Sequence, residues 1–146
     1  MSQLAQFNIG IIKAPMDSPT MSGFASNLDR INALAEATPG FVWRLQTEDG
    51  DATGIRAFDD PNMLLNLSVW QDLESLKQYV YSSVHTDLMR RRQEWFERMN
   101  EAHLVLWWVP HGNRPSIPEA IDCLSMLRSL GPTEGAFTFQ HPFHSR

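Results

Sequence analysis

The chain predicts an α+β fold of the ferredoxin-like kind, a split β-α-β arrangement with an antiparallel sheet and an extra C-terminal helix and short strand. Three observations predict it. Segments of strand and helix character follow one another as β-α-β-β-α-β. Proline and glycine fall between these segments and not inside them. A further amphipathic segment, opened by a clear helix-start signal, comes after the sixth element.

The first element is a strand over Leu4 to Lys13, rich in Ile and Phe and loosely alternating. Pro15 and Pro19 break it. A helix follows from about Met21 to Ala37, with Phe24, Leu28, Ile31, Leu34 and Ala35 on one apolar face. Thr38-Pro39-Gly40 stops it. Phe41 to Thr47 is the second strand, and the acidic, turn-rich segment 48–61 is a loop. Met63 to Trp70 is the third strand. Asp72 is a good N-cap for a turn of helix carrying Leu73, Leu76, Tyr79 and Val80. Ser82-Ser83 marks a break, and a helix runs from about His85 to Met99 with Leu88, Trp95, Phe96 and Met99 as its stripe. His103 to Pro110 is the fourth strand, apolar on both faces. Ser116 and Glu119, three apart with Pro118 in the first turn, form a capping box for a helix reaching Leu130. Gly131-Pro132 ends it, and Ala136 to Phe139 is a short final strand.

Helices on one face leave the other face of the sheet needing a cover. A second copy of the chain is the simplest cover, giving a homodimer with two sheets face to face.

At 146 residues and 16.7 kDa the chain, 1–146, is expected to be a single domain able to bury a core without disulfides or metals. A net charge of -5 and a pI near 5.4 exclude a general nucleic-acid binder, which needs a basic surface. Cys123 stands alone, so no internal disulfide and no cysteine zinc site is expected. No signal peptide is read at the start, and no apolar run approaches the ~18 residues of a membrane span. The expectation is a soluble cytoplasmic protein without membrane partners.

Strand pleating sorts the candidate site residues. Gln6 and Asn8, Arg44 and Gln46, and Asn66, Ser68 and Trp70 each take one face of their strands. Phe7, Ile9 and Ile11, then Phe41, Trp43 and Leu45, then Leu65, Leu67 and Val69 take the other. Coinciding polar faces would form a patch suited to a polar-lined pocket; a dimer contact or a wet sheet face fits the same pattern. His85 is a candidate general base near neutral pH, with Met89 and Arg92 on its helical face. Of Arg90, Arg91 and Arg92, Arg92 is the one to line a pocket, where it would suit a carboxylate, enolate or phenolate. No histidine pair has metal-site spacing, and no nucleotide loop or serine-nucleophile elbow is present.

The runs Phe41-Val42-Trp43-Arg44, Ala57-Phe58-Asp59-Asp60-Pro61, Asn66-Leu67-Ser68-Val69-Trp70, His85 with Met89 to Phe96, and Leu104 to Pro110 resemble a bacterial family of unknown function in the dimeric α+β barrel superfamily. That superfamily is related to antibiotic-biosynthesis monooxygenase-like proteins, which oxidise polycyclic phenols without metal or flavin. It also holds heme-degrading enzymes, cyclases, lyases and binding modules. The resemblance implies a homodimer with a small-molecule ligand between the sheet and the helices of one subunit. It implies a small-molecule binder resembling a cofactor-free monooxygenase, or else a non-catalytic binder of heme or another aromatic ligand, or a dimeric accessory protein. Asn66 with Trp70 is similar to the pair such oxygenases use to hold an oxygen and shape the pocket. On this reading Asn66 and Arg92 hold an oxyanion and His85 transfers a proton, while Trp43, Arg44, Trp70, Tyr79 and Trp95 line the substrate. No metal and no cofactor is expected. Heme ranks third: the axial histidine of heme-degrading relatives matches Met89 or a neighbour, their tryptophan under the heme matches Tyr79, and His85, one turn away, stays open as a ligand.

Overall fold

The computed structural model describes residues 2–45 and 62–144. Four antiparallel strands form one sheet in the order β2-β3-β1-β4, the strand order of the expected split β-α-β domain. They are β1 (Ser2–Ile11), β2 (Phe41–Arg44), β3 (Met63–Trp70) and β4 (Leu104–Pro110). The helices are α1 (Ser22–Ala37), α2 (Leu73–Val80), α3 (Ser83–Arg90), α4 (Arg92–Trp95) and α5 (Ile117–Leu130).

The boundaries follow local chemistry. Gly40 takes φ +91°, a conformation that favours glycine, and a Cβ there would run into the Ser75 side chain. Asp72 accepts from the Ser75 amide at 2.8 Å, Ser82 from His85 at 3.3 Å and Ser116 from Glu119 at 3.2 Å, so three helices start on side-chain caps. The helix expected to run from His85 to Met99 is shorter at its far end. It turns at Arg91 and stops at Trp95, because the chain there is pulled straight against the end of β1. Lys13 donates to the Trp95 carbonyl and Glu97 to the Ile11 carbonyl, both at 2.8 Å. Met99 therefore leaves the helical stripe and packs with the core on the other side of the sheet. The expected last strand shrinks to two isolated bridges, Leu106 with Phe137 and Thr133 with Ala136. The expected loop 48–61 and residues 46 and 47 of the second strand lie outside the described residues.

β1 lies between β3 and β4, so its pleat sorts the whole interior. Ala5, Phe7, Leu67, Val69, Val105, Trp107 and Val109 point to one side and are all nearly fully buried. Their cover is α5, through Ala120, Cys123, Leu124 and Leu127. Trp107 Nε1 donates to Glu119 of α5 at 3.0 Å. On this side the chain's own α5 lies against the sheet through four buried residues at helical spacing, while Trp43, Leu45 and Met63 are only partly buried. α1 to α4 lie over the opposite face. No described helix is long and apolar enough to cross a membrane.

Because α5 seals this core, Leu124→Ala should cost ~2–5 kcal/mol. Met126→Ala, on the outer face of α5, should change stability by less than ~0.5 kcal/mol. Urea denaturation of the two variants checks both values.

Candidate functional site

On the helix side, the even residues of β1 meet those of β3. Gln6 pairs with Ser68 and Asn8 with Asn66 in the sheet register. The buried Gln6 amide is fully engaged. Its Nε2 donates to Asn66 Oδ1 and to Ser68 Oγ, each at 2.9 Å, and its Oε1 accepts from Asn8 Nδ2. Trp70 Nε1 also donates to Ser68 Oγ at 2.9 Å. This accounting decides what the floor presents. The Asn66 oxygen is taken, so its NH2 is the group left to face a ligand. The Ser68 oxygen accepts twice, so its proton is left to donate. Anchored on the buried Gln6 and Ser68, this interlocked network makes the middle of the sheet a surface of donors.

A ladder of rings rises from one end of this floor. Phe41 meets Trp70 edge-on at 5.3 Å, Trp70 stacks on Tyr79 at 5.3 Å, and Tyr79 meets His85 edge-on at 4.9 Å. Phe41 joins it because a bulge between Phe41 and Trp43 shifts the β2 register. Burial pushes the Tyr79 phenol up to about 12, offset in part by the nearby Arg44 charge, so it remains a neutral donor. Arg44 is itself held by Glu36 at 2.8 Å. Burial holds the His85 imidazole below its ordinary value, with the Val80 carbonyl opposing, so the ring is neutral at pH 7.

At the other end α4 supplies Arg92 and Trp95. The Phe96 ring rests on the backbone at Gly10, where a Cβ would come within 2.7 Å of it. The Arg92 guanidinium lies 4.9 Å from the Phe96 ring centre. The His103 carbonyl accepts from Ile9 at 3.0 Å, which fixes it beside Gly10.

These groups enclose a cavity of about 410 Å³ between the sheet and α1 to α4. Asn66, Arg44, Trp70, Tyr79, His85, Arg92 and Trp95 all line it, as do Gln6, Asn8 and Ser68. Gln46, the last member of the expected polar patch, lies outside the described residues. Trp43 does not line the cavity. It pairs with Val69, and the pleat sends both toward the α5 core, where Trp43 lies 5.9 Å from the Arg114 guanidinium. Its expected place against a substrate is therefore corrected to a core position. Arg90 and Arg91 face outward and pair with Asp87 and Glu94.

Two polar lining residues escape the sequence reading. Asn32 is a polar residue inside the apolar spacing of α1, one turn after Leu28, and that interruption was its signal. His103 precedes β4, and strand alternation would have put it on the apolar face, so no pattern marks it. Among the described residues, two buried side-chain polar atoms lack a hydrogen-bond partner: Nδ1 of His85 and Nδ1 of His103. Both residues line this one cavity.

A four-stranded antiparallel sheet with a lined cavity under its helices defines a protein with a monooxygenase-like α+β fold. Residues 3–146 match the family described as Domain of unknown function (DUF3291), and the chain belongs to that family. No curated protein matches the sequence. Among solved structures it is similar to NE2512, a protein of unknown function from Nitrosomonas europaea, at 14% identity and TM-score 0.52, covering 80% of this chain and 97% of that one. It is similar to protein SO0527 from Shewanella oneidensis at 9% identity and TM-score 0.53, covering 74% and 91%. It is similar to SnoaB, a cofactor-independent oxygenase from Streptomyces nogalater, at 15% identity and TM-score 0.51, covering 81% and 99%. At these identities the likeness is one of fold.

The two histidines link this site to stability. Burial lowers both imidazoles; for His103 the Arg92 charge adds to it, the Glu101 carbonyl opposes, and Arg128 adds slightly. The unfolded chain takes up these protons first, so the stabilisation is complete above about pH 6.5 and is lost as the pH falls below it. The urea midpoint should drop between about pH 7.5 and pH 5.5. The His85→Gln, His103→Gln double variant should show a shallower drop in the same titration.

Proposed function

We propose that this protein binds a flat phenolic substrate in the cavity and oxidises it with molecular oxygen, without a metal or organic cofactor. The observation that carries the reading is that His85 and His103, whose buried Nδ1 atoms lack a hydrogen-bond partner, both line this one cavity. Buried polar atoms in native proteins are paired unless a function uses them. A ligand hydroxyl is the group that His85 lacks.

The chemistry follows from the floor and the wall. Neutral His85 takes the phenolic proton. The Asn66 NH2 and Ser68 hydroxyl hold the phenolate oxygen, preset by Gln6 so that no reorientation is needed. Trp70 and Tyr79 flank the ring. The electron-rich phenolate reduces oxygen, a carbon–oxygen bond forms at a ring C–H carbon, and the peroxide so formed loses water. Phenol plus O2 gives quinone plus H2O, so one oxygen atom enters the ring and the other leaves as water. No step needs a cofactor, in keeping with the description of SnoaB. The single, buried thiol Cys123 suits a reducing cytoplasm. The proposed assembly remains a homodimer, with a contact elsewhere than the sheet face that α5 occupies. Light scattering at twice the 16.7 kDa chain mass supports it, and at that mass itself refutes it.

Oxygen uptake with naphthols and anthrones tests the reaction. His85→Ala should lower kcat by about a hundredfold or more, and Asn66→Ala by a comparable factor. Unchanged turnover in both variants, or no uptake with phenols that bind, overturns the enzyme reading in favour of a non-catalytic binder. Heme is the alternative occupant, and the residues fit it less well. The position implied for an axial ligand is Met89, which is 47% exposed at the rim. Added hemin should give no saturable Soret band; a sharp band at defined stoichiometry would replace the phenol by heme.

A further inference from the structure

The cavity has two chemically different ends. The Trp70 end of the floor lies opposite Leu4, and the Phe96 end lies against Gly10. Six residues of strand separate them, about 20 Å at the usual rise. The first end holds the ring ladder and Arg44, whose charge Glu36 already balances. The second end holds Arg92 and His103. Arg92 is half-buried, its flat face is fixed over Phe96, and no described carboxylate pairs with it. Its neighbours in sequence, Arg90 and Arg91, are both paired. No acidic side chain is among the described residues that line the cavity. His103 adds an imidazole nitrogen with no partner.

A half-buried guanidinium with no carboxylate beside it among the described residues is a binding group for an anion. Its planar fork matches a carboxylate, and the flanking apolar walls from Leu28, Leu64 and Leu88 match a ring system. We propose that Arg92 forms a carboxylate subsite at the Gly10 end of the cavity, so that the ligand is an aromatic acid held by its carboxylate there, with its ring directed toward Asn66 and His85. This rests on the phenol-binding reading above and narrows it. The substrate class becomes phenols that carry a carboxylate about one ring system away from the hydroxyl.

Calorimetry with 2-naphthoate, methyl 2-naphthoate and 2-naphthol tests it in the absence of turnover. Wild-type protein should bind the acid about tenfold or more tightly than its methyl ester, because the ester cannot make a charge-assisted pair. Arg92→Gln should abolish that preference and leave the ester and the naphthol unchanged. Arg92→Lys, which keeps the charge and the stem over Phe96, should retain part of it. Equal binding of acid and ester by the wild-type protein overturns the subsite regardless of any variant and leaves the phenol reading standing. Unchanged acid affinity in a folded Arg92→Gln also overturns it. Binding of none of the three compounds overturns both the subsite and the reading beneath it.

Discussion

Everything in this molecule depends on β1 having a neighbour on each side. A strand hydrogen-bonded along both edges cannot slip without breaking two ladders, so its pleat is fixed. Ala5 and Phe7 must then enter the α5 core, and Gln6 and Asn8 must enter the cavity. A one-residue slip would exchange these sets and bury amides in the apolar layer. The two interiors, one sealed and one open to a ligand, are the two sides of a single strand.

Gln6 shows how the sequence serves the second interior. A glutamine under the floor of a cavity is an unusual use of buried space, since an unpaired amide there carries a desolvation penalty of several kcal/mol. Here the amide is satisfied by three side chains, and it organises them. It removes one acceptor from Asn66 and, with Trp70, two from Ser68. The result is a one-sided surface, able to donate and short of groups to accept. With Arg44 and Arg92 at its ends and no described acid along its lining, the cavity favours oxygen-rich, electron-rich guests.

Much of this was legible in the sequence, for identifiable reasons. Period-two alternation put Gln6, Asn8, Arg44, Asn66 and Ser68 on one face, and the structure brings them to one cavity. Spacing along the helix singled out Arg92 from its two neighbours. The capping patterns at Asp72 and Ser116 mark where two helices begin, and the break at Ser82-Ser83 falls where a third one starts. What stayed hidden depends on tertiary geometry. The bulge in β2 turns Phe41 inward while Trp43 remains outward, and alternation alone gives them the same face. The early end of α4 is imposed by pairing with Ile11 and Lys13, some 85 residues upstream of it in the chain, which no local pattern records. His103 lies just ahead of its strand, where alternation has no force. The apolar residues of α5 were visible, but whether they meet this sheet or a partner's is not written in their spacing.

That last point has a consequence for how the protein behaves at low concentration. A sheet covered by a second chain sheds its cover on dilution, because the contact is bimolecular and its stability depends on concentration. A cover joined to the sheet by a short connection, here the few residues between Pro110 and Ile117, stays at an effective concentration in the millimolar range however few molecules share the solution. The α5 core is therefore indifferent to expression level.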